Sequence, residues 1–215
     1  MDYRDSVDLS DSHTQRASGG GGGGRMALGG GVGGLVLMLL VVFVGPRLGI
    51  NVSDLLGSGS GQDTQPVVQG SDLDHCKQKD VNVNANRECR WLLYEKVLQS
   101  YWSKTATNYK YATVKLFFGT INTACGVGQT EMGPFYCSGD STVYIDDSYV
   151  GQLLKQLGAS GGDAAELYIV AHEFGHHVQN LDGTMRKVTR GTGADSAQVR
   201  LELQADCYAG VVFNQ

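Results

Sequence analysis

The chain has 215 residues, 41% of them hydrophobic, and a formal net charge of −5. Beyond residue 75 it keeps about 140 residues, enough for one domain with a real core. That stretch carries 13 Lys and Arg against 14 Asp and Glu; it is nearly neutral and lacks the basic footprint of a nucleic-acid-binding protein.

Residues 1–25 are polar, acidic in parts, and end in the run Gly19 to Gly24. Nothing there could bury a core, so a disordered cytoplasmic tail is expected. The glycine run reads as a flexible linker and not a phosphate loop, because it lacks the Lys-Ser/Thr ending. From Ala27 to Val44 there is no charged or strongly polar residue, and a helix of that length spans ~27 Å, close to the thickness of a bilayer. One transmembrane helix is therefore expected over 26–45, in preference to a signal-peptide core, since Pro46 makes a poor cleavage context. Arg4, Arg16 and Arg25 precede the span and only Arg47 follows closely. The positive-inside rule then puts the N-terminus in the cytoplasm and the remainder outside, as a single-pass protein of the cell membrane.

Residues 46–75, rich in Ser, Gly, Asp and Gln towards their end, read as a linker, and 76–215 as the folded domain. All five cysteines lie in that domain. The spacings of 13 and 12 suggest Cys76–Cys89 and Cys125–Cys137 as local disulfides, among three possible pairings, and fit an oxidising compartment. Cys207, the odd one, is expected as a small packed thiol. A helix is predicted over 86–103, where Trp91, Leu92, Tyr94, Leu98 and Trp102 recur at helical spacing. Strand-like runs follow at 113–118, 134–137 and 142–145, with Asp146 and Asp147 at a turn or helix cap. A short helix is predicted near 148–157.

The next helix is predicted to open at a capping pair, Asp163 and Glu166, and to stop at Gly183. It carries His172-Glu173-Phe174-Gly175-His176. Residues four apart share one helix face, so His172 and His176 can direct ring nitrogens at one metal ion, with Glu173 beside it. The helix is otherwise apolar nearly all round, and buried histidines need a partner that a metal supplies. A last helix is predicted over 196–213, capped by Asp195 and Gln198. On it Glu202 and Asp206 fall among Val199, Leu203, Ala205, Ala209 and Phe213, the packed side. A buried carboxylate calls for a cation or a donor. Glu202 is assigned as third ligand of a Zn2+ ion and Asp206 as the group that orients a ligand histidine; the swapped assignment stays open. Three ligands leave a fourth position for water, whose proton Glu173 can take as general base. His177 lies on another face and reads as a polar or core contact.

These residues, with Val178-Gln179-Asn180, Leu201 to Gly210, Gly133-Pro134-Phe135-Tyr136-Cys137 and Val143-Tyr144-Ile145-Asp146, resemble the bacterial neutral zinc metallopeptidases, a family of membrane-anchored proteins. The resemblance implies an α+β, zincin-like domain: a small sheet, a metal-binding helix and a second ligand helix, here preceded by the transmembrane helix. It also implies a further C-terminal segment, so that 76–215 is expected to be incomplete. Thermolysin-like enzymes stabilise the oxyanion with a His or Tyr beyond the second helix. That role has no assigned residue here, and Tyr208 is the available candidate. The expected function is a membrane-anchored zinc peptidase acting on a peptide or protein substrate, without nucleic acid. The alternative is a catalytically inactive, zinc-stabilised, membrane-tethered binding module; a deformylase-like hydrolase using Cys207 is more remote.

Overall fold

The computed structural model describes residues 7–17, 73–156, 158, 162–188 and 193–214. In chain order these form β1 (Thr14–Arg16), a 3-10 turn (Leu73–Lys77), α1 (Arg87–Thr105), β2 (Thr113–Leu116), β3 (Thr120–Thr123), β4 (Gly126–Gln129), β5 (Phe135–Cys137) and β6 (Thr142–Ile145). Then come α2 (Asp147–Gln156), α3 (Asp163–Leu181), the single turn α4 (Thr184–Lys187) and α5 (Ala197–Val212).

The main sheet has the order β1-β2-β6-β5, and β3 with β4 makes a separate antiparallel hairpin. β1, β2 and β6 run parallel, with Val114 beside Val143 and Leu116 beside Ile145; β5 is antiparallel to β6. The apolar residues of β2 and β6, Val114, Leu116, Val143 and Ile145, are buried with Trp91, Leu92 and Leu98 of α1 and Val170, Ala171, Phe174 and Val178 of α3. Parallel strands covered by helices read as apolar at nearly every position, as β6 does. α3 lies between the sheet and α5, which explains why it is apolar nearly all round.

Several expectations are corrected. The described structure is a mixed α/β domain with two small sheets, not an α+β domain preceded by a transmembrane helix. No helix among the described residues is long and apolar enough to cross a membrane, and the span expected over 26–45 lies outside those residues. The two longest described helices are unsuited to hydrocarbon: α1 carries Arg87, Glu88, Arg90, Glu95, Lys96 and Lys104, and the helix Asp163–Leu181 carries Asp163, Glu166 and Glu173.

The N-terminal tail is corrected as well. Residues 7–17, expected to be disordered, contribute β1, which pairs with β2. Leu9 is fully buried, Glu95 accepts hydrogen bonds from the Ser12 hydroxyl and the His13 N–H, and Arg16 pairs with Glu88. A short polar segment cannot build a core of its own, but it can complete one whose edge strand and buried carboxylate are already in place.

Both suggested disulfides are present, Cys76–Cys89 and Cys125–Cys137. Cys207 is exposed rather than packed. The cap of α5 is Ser196, whose hydroxyl accepts from the Val199 N–H, not Asp195. At the start of α3 the cap residue is Gly162 without a side-chain bond; Asp163 and Glu166 instead pair with Arg90 and Arg87 of α1. Ion pairing to a neighbouring helix outcompetes the local cap, because Glu166 is buried against α1 and the Tyr94 hydroxyl also donates to it. The β3–β4 hairpin was not expected. It is tied to β5 by Cys125–Cys137 and to the start of α2 by Asp146, which accepts from the Thr130 hydroxyl and Gly119 N–H on one side and from Ser148 on the other.

Candidate metal centre

α3 presents His172 and His176 one turn apart, and both rings turn Nε2 towards α5. The two Nε2 atoms are 3.1 Å apart, and Glu202 Oε2 lies 3.3 Å from one and 3.2 Å from the other. Three atoms bound at about 2.0–2.1 Å to one tetrahedral metal ion stand roughly 3.3 Å from each other. The triangle therefore has the dimensions of a zinc ligand set.

The approach of the two helices makes this possible. Gly175, inside the motif, faces Ala205 so closely that a Cβ on it would stand 3.0 Å from the Ala205 Cα and carbonyl oxygen. Small residues at that crossing bring the backbones together and carry Glu202 to the histidines.

Each ring has its other nitrogen against an acceptor. His172 Nδ1 is 2.8 Å from Asp206 Oδ1, and His176 Nδ1 is 2.8 Å from Gln179 Oε1. A carboxylate oxygen and an amide oxygen only accept, so both Nδ1 atoms donate. In neutral rings this leaves two Nε2 lone pairs and a carboxylate oxygen converging on one point, an arrangement that requires a cation. Burial works against charge on His172, but its hydrogen bonds to Asp206 and Glu202 outweigh that and raise its pKa to about 10. His176 is likewise raised, through Glu202 and Glu173 and against burial. Burial pushes Glu202 upward, and the two imidazoles more than reverse it. Protons and a metal ion compete for such a site.

Glu173 is buried beside the triangle. Burial pushes its carboxyl up, against the pull of the two imidazoles. The backbone of Tyr136 hydrogen-bonds to it, while its Oε2, like Glu202 Oε1, is buried without a partner among the described residues. Two orphaned carboxylate oxygens at one place fit a site that takes a metal ion and a polar ligand. His172, His176 and Glu202 are nearly completely buried, whereas the Asp206 side chain is 41% exposed, which places the solvent-facing side at Asp206.

His177 stands apart from the triangle: its Nε2 donates to the Lys110 carbonyl and its Nδ1 faces the Tyr136 hydroxyl at 2.9 Å. Tyr208 packs edge-on against Trp102, with ring centroids 5.4 Å apart, and is not among the residues brought together here. Cys207 is also outside the cluster. A second group of potential ligand atoms, His75, Cys76 and Cys89, has both sulfurs in a disulfide and so lacks thiolates. Sequence reasoning gave no role to Gln179 or Tyr136, which it named only in the resemblance, nor to Tyr168, whose hydroxyl donates to Asp206 at 2.8 Å. The signal for Gln179 was available: an amide three residues after His176 on a helix too apolar to leave it solvated.

An α/β domain whose buried helix offers two histidines to a carboxylate of a facing helix has a donor set that could hold a metal ion. The whole chain, residues 1–215, matches the family described as "Putative neutral zinc metallopeptidase", and the protein belongs to that family. Zinc is the cofactor of such a family. The chain is 41% identical over 167 residues to the Mycobacterium tuberculosis protein named "Uncharacterized protein Rv2575", covering 76% of this chain and 56% of that protein. It is 36% identical over 181 residues to "Uncharacterized protein YpfJ" of Escherichia coli K12, covering 80% of this chain and 60% of that one. The chain thus spans less than two thirds of the length of these curated relatives. No solved structure matches.

Proposed function

We propose that this chain carries the catalytic centre of a zinc-dependent peptidase, with His172, His176 and Glu202 as zinc ligands and Glu173 as general base. The observation that carries the reading is the triangle of Nε2, Nε2 and Oε2 atoms with a buried, partly unsatisfied carboxylate one residue from the first histidine. Asp206 contacts the far nitrogen of His172 rather than the face shared by the triangle, which favours Glu202 over Asp206 as ligand.

Zinc held by His172, His176 and Glu202 would supply Lewis-acid activation of a scissile carbonyl and of water at neutral pH. Glu173 takes the proton of the attacking water and hands it to the leaving amine nitrogen. Burial raises its carboxyl above the ordinary value, the direction that suits a group that must both accept and release a proton. Asp206 holds the His172 ring in the tautomer that presents Nε2. β5 is the last strand in the order of the described sheet and packs beside α3, with the Tyr136 backbone bonded to Glu173; the peptide or protein substrate is proposed from the family match. Two disulfides support placement in an oxidising compartment.

A zinc-stabilised binding module is the second reading, favoured by the near-complete burial of the three ligands. Zinc content and cleavage of an unstructured protein, compared between wild type and Glu173→Gln, separate the two. The peptidase reading expects one zinc in both and cleavage only by wild type. Zinc in both with cleavage by neither supports the module.

A further inference from the structure

We infer that Gln179 is a positioning residue that fixes the ring state of His176 and locks it to the strand of backbone carrying Glu202. The inference rests on the ligand assignment above. Gln179 is fully buried near the end of α3. Its amide nitrogen donates to the Leu201 carbonyl at 2.7 Å and to Gln204 Oε1 at 2.9 Å. Its amide oxygen meets His176 Nδ1 at 2.8 Å.

The direction of this relay follows from one atom. A backbone carbonyl can only accept, so the Leu201 oxygen compels the Gln179 nitrogen to face α5. The amide oxygen is then turned to His176, and Nδ1 must carry the hydrogen. The Nε2 lone pair is thereby left free for the metal. Because Leu201 immediately precedes Glu202, the same side chain spans from one ligand to the backbone of another. A shift of α5 along α3 would break the Leu201 bond and release the His176 ring together. His172 has a charged, half-exposed acceptor in Asp206, whereas His176 has a neutral, fully buried one; the second arrangement holds a ring without adding charge to the site.

The test is zinc affinity of the whole chain by competition with a chelator at fixed pH, for wild type, Gln179→Leu, Gln179→Glu and Glu202→Gln, with thermal unfolding of each. Loss of the acceptor in Gln179→Leu is expected to weaken zinc binding about 10- to 100-fold, and Gln179→Glu, which keeps an acceptor, to recover part of that loss. Nitrogen-15 NMR of zinc-loaded wild type is expected to show His176 protonated at Nδ1, a readout that needs no variant to fold. Gln179→Leu within twofold of wild type, or His176 protonated at Nε2, overturns the inference. If Glu202→Gln loses zinc while Gln179→Leu does not, only the role of Gln179 falls. If Glu202→Gln keeps zinc at wild-type affinity, the ligand assignment fails first and this inference with it.

Discussion

Gly175 and Ala205 meet backbone to backbone at the crossing of α3 and α5, where a Cβ on Gly175 would stand 3.0 Å from the Ala205 Cα and carbonyl oxygen. The contact lies between His172–His176 on one helix and Glu202–Asp206 on the other, so the separation of the helices sets the distance from the histidine rings to Glu202 and Asp206.

Gly175→Ala is expected to destabilise the protein by about 1–3 kcal/mol, the usual cost of overpacking. Alanine's better helix propensity, worth up to about 1 kcal/mol, works in the other direction and is outweighed because the obstructing atoms are backbone. Denaturant unfolding reads the stability, and chelator competition should show weaker zinc binding in the same variant. Unchanged zinc affinity would separate the crossing from the site.

Asp206→Ala is expected to lower zinc affinity about 10- to 100-fold, since removal of a histidine-orienting carboxylate typically costs that much. Tyr168→Phe, which removes only the hydroxyl donating to the same oxygen, should cost less. Glu202→Gln should lose more than either. A ranking with Asp206 above Glu202 would exchange their roles.

Leu9→Ala is expected to cost about 2–5 kcal/mol, the range for emptying a buried leucine site, because Leu9 is fully buried in the main core. In a disordered tail the same change would stay within about 0.5 kcal/mol. Denaturant unfolding of the whole chain decides between the two.

Burial raises the Glu95 carboxyl above its ordinary value of 4.5, opposed by hydrogen bonds from Ser12, Gln99 and His13. The folded protein therefore holds this proton more tightly than the unfolded chain. The resulting stability is fully present below the unfolded value and is lost as pH rises through the raised folded one. Glu95→Gln mimics the protonated form, so its melting temperature should gain on that of wild type as pH rises through this window and stay level above it. Parallel curves for the two proteins across that window would remove Glu95 as the cause.

The placement of His172, Glu173 and His176 together on one buried helix was legible because their relation is set by helical geometry over five residues. The two disulfides were legible because loops of 13 and 12 residues close locally. Glu202 and Asp206 could be placed on a packed face but not told apart, since one turn of helix separates them and either could reach the histidines. Their distances to opposite nitrogens of His172 depend on how deeply α5 packs on α3, which Gly175 and Ala205 set through space.

What the sequence determined by itself is the local part: the helix carrying the histidines, the apolar faces, the short disulfide loops and the chemistry of the donor atoms. Only the tertiary structure decided the partners. It took Asp163 and Glu166 from a helix cap to arginines of α1, drew residues 7–17 into the sheet, and set the Gln179 amide between His176 and Leu201. Apart from Gln179–His176 within one helix, these pairings join residues 22 to 100 positions apart in the chain. Their energy comes from satisfying buried polar groups and covering a sheet edge, needs that exist only once the core has formed.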